Sequence, residues 1–120
     1  MVATLEVDEV AEANVLAALR KLHYSIVQHD LKDPRGTRIE AWRGRQRIFA
    51  LLNTVVSPAE LRPLTLEEEQ SLRCKAVRAG GQPWEVRVFL KSDLQLVRLE
   101  WRPLGLQGFA MDGPDLRRED

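Results

Sequence analysis

Cysteine is nearly missing from this 120-residue chain, which has Cys74 and no other. One thiol excludes an internal disulfide and fits a reducing compartment, so a cytoplasmic setting is expected. With only His23 and His29 beside it, the chain also lacks the ligands of an ordinary structural zinc site. No run of about 18 apolar residues occurs, so there is no candidate transmembrane helix and no membrane partner is expected. The opening "MVATLEVDEVAEANV" is acidic and does not pass from a basic to an apolar segment, so no secretory leader is expected. Internal repeats and low-complexity tracts are wanting as well.

What is present reads as one globular domain. Hydrophobic residues make up 44% and charged residues 30%, an ordinary balance that argues against disorder. A chain of this length can bury roughly two thirds of its unfolded surface. The net charge of zero hides an uneven layout. Residues 1–13 carry Glu6, Asp8, Glu9 and Glu12 and no base, whereas residues 14–62 carry nine bases against four acids, a net of +5. A basic middle either attracts polyanions by counterion release or is simply a solvated surface.

Periodicity sets out the elements. Val7, Val10, Ala11, Asn14, Ala18 and Leu22 recur at spacings of three and four, which predicts one face of a helix over 5–22. Acids open that segment and Arg20 and Lys21 close it, matching the helix dipole. "HYSIVQHD" (23–30) and "TRIEAWR" (37–43) read as strands, with a turn around Pro34 and Gly36 between them. Arg43-Gly44-Arg45-Gln46 is a hairpin turn into "RIFALLNTVV", whose nearly unbroken apolar run predicts a central strand covered on both faces. "SPAELRPL" is a loop. Thr65 and Glu68 then have capping-box spacing at the head of a second helix, which the Gly80-Gly81 pair ends. Two alternating strands follow. Trp84, Val86, Val88 and Leu90 share a face of the first, and Val97, Leu99 and Trp101 a face of the second. The expected fold is α/β: helix, three-strand meander, helix, two-strand hairpin, forming a five-stranded mixed sheet with a helix on each side. One domain over 1–104 and a Gly/Pro-rich tail over 105–120 complete it.

The stretch Tyr24–Leu104 resembles the restriction-endonuclease-like superfamily, more narrowly a group of small bacterial proteins related to Holliday-junction resolvases. In that group a strand and a segment ending in glycine and Glu-Ile-Asp precede a short turn and a strand with Glu-Val-Lys, usually followed by Thr. Gly36-Thr37-Arg38-Ile39-Glu40 stands near the first pattern and Gly44 at the turn. Counted from Gly44, the resemblance puts the catalytic glutamate at Leu51, the lysine at Asn53 and the threonine at Thr54. It implies chemistry by two carboxylates on Mg²⁺ with a lysine beside the attacking water. Leu51 cannot ligate a metal and Asn53 can be neither base nor cation. The expectation is therefore a nuclease-like fold with a degenerate active site and no cofactor. Asn53 is expected to hydrogen-bond a loop or helix end near its strand's C-terminus.

An active enzyme would need migrated carboxylates, Glu40 with Glu12 and Asp30, holding Mg²⁺ or Mn²⁺. The stronger expectation is a binding surface for DNA or RNA, held weakly, or for a protein partner. It would comprise Arg35, Arg38, Arg43, Arg45 and Arg47 around two turns, with Trp42 to stack. A homodimer through Val97, Leu99 and Trp101 is a third expectation, should the last hairpin's apolar face be uncovered. Trp84 and Trp101 otherwise read as core. His23 and His29 are expected on one face of a strand, and Cys74 as a buried, inert thiol.

Overall fold

The computed structural model of the chain describes residues 4–30 and 38–105. The elements run α1 (Thr4–Lys21), β1 (Ser25–Asp30), β2 (Arg38–Arg43), β3 (Gln46–Val56), α2 (Leu66–Arg78), β4 (Gln82–Leu90) and β5 (Leu96–Pro103). The strands form one sheet in the order β1-β2-β3-β4-β5. Neighbours are antiparallel except β3 and β4, which are parallel and joined through α2. The expected mixed sheet is thus observed, and β3 lies at its centre.

Why β3 carries apolar residues at consecutive positions follows from the two layers around it. Ile48, Ala50 and Leu52 point to the face that α1 covers, where they meet Val15, Leu19, Val86 and Trp101. Phe49 and Leu51 point to the other face and pack with Leu64, Leu72, Ala76 and Leu104 beneath α2. On β4, Trp84, Val86, Val88 and Leu90 join the α1 side as expected. Two of the three tryptophans, Trp84 and Trp101, are therefore core residues.

The helices obey their local signals. α2 begins with a complete capping box: the Thr65 hydroxyl accepts from the Glu68 amide and the Glu68 carboxylate accepts from the Thr65 amide. α1 buries Ala11, Val15, Leu16 and Leu19, and Val7, Val10, Ala18 and Leu22 of the expected face pack partly buried against the same core, so the buried stripe is wider than expected and centred one step round. Asn14 sits at its margin, donating its side-chain amide to the Val10 carbonyl at 2.9 Å. The larger apolar volume of Val15, Leu16 and Leu19 sets the rotation, and Glu12 is buried beside them.

Three further expectations need correction. His23 is not in β1: it takes φ +68° just past α1, and Tyr24 N–H reaches back to the Leu19 carbonyl at 3.0 Å. That is a Schellman-type helix end with histidine in the position glycine usually fills. Cys74 is exposed, because the buried face of α2 passes through Leu72 and Ala76. Val97 is 52% exposed, because β5 bulges there: Phe89 pairs with Arg98 and Leu90 with Leu96, so Val97 is skipped. A second irregularity in β1 skips Val27 in the same way, between the pairs Ile26–Ala41 and Gln28–Glu40. Leu99 and Trp101 lie in the core under α1, so the last hairpin does not offer the open apolar face that the dimer expectation required. Of the tail over 105–120, only Gly105 is among the described residues. No helix of the described residues is long and apolar enough to cross a membrane.

Candidate functional site

Strand alternation sends Arg38, Glu40 and Trp42 of β2, Arg47, Phe49, Leu51 and Asn53 of β3, Glu85 and Arg87 of β4, and Arg98, Glu100 and Arg102 of β5 to the α2 face. α2 covers the middle of this face. Its polar residues therefore divide into a closed group beside β4 and β5 and an open group on β2 and the start of β3.

The closed group surrounds the β3 position in question. Leu51, 1% exposed, is packed in the apolar cluster beneath α2. Two residues on, the Asn53 amide donates to the Arg62 carbonyl at 2.7 Å, tying the loop before α2 to the strand, and to Glu85 Oε2 at 3.0 Å. The expected loop contact is present; the carboxylate partner was not anticipated. Glu85 is 0% exposed and lies opposite Leu51 in the parallel ladder. Its Oε1 accepts from Arg102 Nε at 2.6 Å and from Arg87 Nε at 3.2 Å. Arg102 also donates to Glu69 of α2 at 3.0 Å, and Arg73 donates to the other Glu69 oxygen at 3.2 Å. Arg87 and Arg98 hold Glu100 at 3.9 and 2.9 Å, and Arg98 stacks on Phe89.

Burial by itself pushes the Glu85 carboxyl upward. The hydrogen bonds from Asn53 and Arg102 and the charges of Arg102 and Arg87 outweigh it, leaving the group below the usual carboxylate range. Burial likewise lowers Arg102, but its bonds to Glu85 and Glu69 more than reverse this and raise it. Both groups therefore stay ionised. Asn53 supplies a donor here without a third positive charge, where a lysine would add one to a carboxylate already held by two arginines.

The three candidate metal ligands do not form one cluster among the described atoms. Glu12 lies on α1 and is buried on the opposite side of the sheet from Glu40. Glu40 pairs with Arg47 at 3.4 Å. Asp30 faces Arg38 in the β1–β2 ladder, and its side chain is outside the described ones. Among the described residues, no group of three or more His, Cys, Asp and Glu side chains is placed to hold a metal ion.

The arginine set is likewise divided. Arg43 belongs to the α1 face: it donates to the Leu22 carbonyl at 2.6 Å and lies over the Tyr24 ring at 5.0 Å, which makes it a clamp on the end of α1. Arg47 donates to the Ala79 carbonyl at the C-terminal end of α2, at 3.1 Å. Arg45 is exposed in the hairpin turn beside Gly44, whose φ of +60° that turn requires. Arg38 is half-buried, and Arg35 lies outside the described residues. Trp42, 48% exposed, is directly opposite Arg47 on the same face.

Glu85 and its arginines escape sequence reasoning because each occupies the alternate position of a strand whose other face is plainly apolar. Such positions normally meet solvent. Only the register of β5 on β4 and the placement of α2 bring them together under cover. No protein-family model matches this chain, and no curated protein matches it.

Proposed function

We propose that the chain is a catalytically inactive nuclease-like domain that binds nucleic acid through the open half of its α2 face. The observation that carries this reading is the closed group on β3 and β4. At the place where the resemblance implies a metal carboxylate and a lysine, Leu51 is packed beneath α2 and Asn53 is bonded to Arg62 and Glu85. The nearest buried carboxylate, Glu85, is already held by Arg102 and Arg87 and has no open oxygen pair to offer a cation. The sheet order supports the resemblance, with β3 central, β2 antiparallel beside it and β4 reached through α2.

The binding part of the reading rests on Arg45, Arg47 and Trp42, which share the exposed end of the β2–β3 hairpin, with Arg38 further along β2. Arg43 leaves this set, since its guanidinium is directed to α1. A gel assay on duplex, single-stranded and branched DNA and on single-stranded RNA, with and without Mn²⁺, tests both parts. A shift without cleavage is the expected result. Cleavage that disappears in Glu40→Ala would overturn inactivity. No shift on any DNA or RNA at low salt would overturn nucleic-acid binding and leave a protein partner as the occupant of this face.

A further inference from the structure

The basic surface does not end at the hairpin. Side chains on a helix advance about 100° per residue, and α2 directs Leu72 and Ala76 down onto β3. Glu69 and Arg73 occupy the flank toward β5, where Arg102 engages Glu69. Lys75 lies roughly 200° round from Arg73, on the flank toward β2, and Arg78 roughly 140° round, on the outer surface of the helix. Both are exposed. The Arg47–Ala79 bond brings the start of β3 against this same end of α2. α2 packs on β3 and β4, leaving Trp42 on β2 exposed beside it. The sheet face over β2 therefore lies open beside α2. Arg45 and Arg47 stand at its hairpin end, and the last turn of α2, with Lys75 and Arg78, is joined to that end by the Arg47–Ala79 bond. Glu40 is the acid that β2 places on this face among the described residues.

Resting on the nucleic-acid reading above, we propose that this open face takes a single strand of nucleic acid, with Arg45, Arg47, Lys75 and Arg78 against phosphates and Trp42 stacked on a base. A flat indole beside cations recognises an unstacked base, which a single strand presents and an intact duplex does not.

Trp42 makes the test direct. The other two tryptophans are buried, so quenching of the protein's fluorescence by an added oligonucleotide reports on Trp42. An unlabelled oligothymidylate and a duplex of equal length are titrated into the full chain at several salt concentrations. The expected outcome is tighter binding of the single strand with quenched fluorescence, and a loss of roughly five-fold or more in Trp42→Ala. The double variant Lys75→Gln/Arg78→Gln should lower the salt slope by about 1.4, at roughly 0.7 for each phosphate contact on a single strand. Its exposed side chains leave the fold intact, which near-ultraviolet circular dichroism would verify. The proposal is overturned if the duplex binds better without quenching, or if the double variant keeps the full slope; hairpin binding would then stand alone. Absence of binding to either nucleic acid overturns both readings.

Discussion

Asn53→Asp is the sharpest perturbation of the closed group, because it changes one nitrogen to oxygen and nothing in size. The aspartate oxygen would sit where the amide now donates to Glu85 at 3.0 Å. Two unit charges at that distance repel by on the order of 5 kcal/mol at an effective dielectric constant of about 20. Retaining a proton is the cheaper course. At pH 7, roughly three units above where aspartate ordinarily titrates, that costs about 4 kcal/mol, at 1.36 kcal/mol per unit. At pH 5 only about one unit separates them, and the cost falls to about 1.5 kcal/mol. The sign follows from linkage. The new aspartate has a folded-state pKa raised above its unfolded value, so its penalty grows as pH rises from the unfolded value toward the folded one. Glu85 itself is lowered, so the native protein loses that group's contribution only as pH falls below the ordinary carboxylate range. Urea unfolding at pH 7 and pH 5, followed by the buried Trp84 and Trp101, should show the gap between native and variant narrowing by about 2.5 kcal/mol. Asn53→Ala, which loses the two hydrogen bonds without adding charge, should cost about 2–3 kcal/mol at both pH values. A pH-independent gap for Asn53→Asp would refute the arrangement, since it would mean that no carboxylate faces Asn53.

Other perturbations separate clamps from binding groups. Arg43→Ala should destabilise by about 2 kcal/mol, through the lost Leu22 bond and Tyr24 stacking, while leaving nucleic-acid affinity almost unchanged; chemical denaturation and the oligothymidylate titration check the two halves. Thr65→Ala should cost about 1 kcal/mol by removing the hydroxyl half of the capping box, read as a lower midpoint in a thermal melt. Gly81→Ala should cost about 1–3 kcal/mol, because a Cβ there meets the Phe49 ring and lies 3.1 Å from the Arg47 carbonyl oxygen. Stability of Gly81→Ala equal to the native protein in urea would show that β3 and the end of α2 are further apart than described.

The architecture was legible from the sequence because its signals are local. A five-residue apolar run at β3 cannot be buried on one face only, and a threonine three residues before a glutamate caps a helix wherever the rest of the chain lies. Asn53 was legible too, since a polar group in such a run must find a partner. What could not be read depends on register. Glu85, Arg87 and Arg102 look like the solvent face of a hairpin until α2 is placed over them. Arg43 and Arg47 look like a matched pair of binding residues until alternation sends them to opposite faces of the sheet. Val97 follows the apolar alternation of β5, and only the bulge turns it outward. Cys74 and Asn14 show the same limit on helices, where a shift of one residue rotates the buried stripe by about 100°.

The skipped valines of β1 and β5 have a bearing on how copies of this protein meet. Both strands are the edges of the sheet among the described residues, and a sheet edge presents a row of amides and carbonyls that another molecule's strand can extend. Each rim here is interrupted by an extra residue, Val27 on one side and Val97 on the other. An incoming strand would find the donor–acceptor spacing broken partway along and the local twist increased. Two irregularities of this kind, one on each edge strand of the described sheet, work against ladder growth from either side.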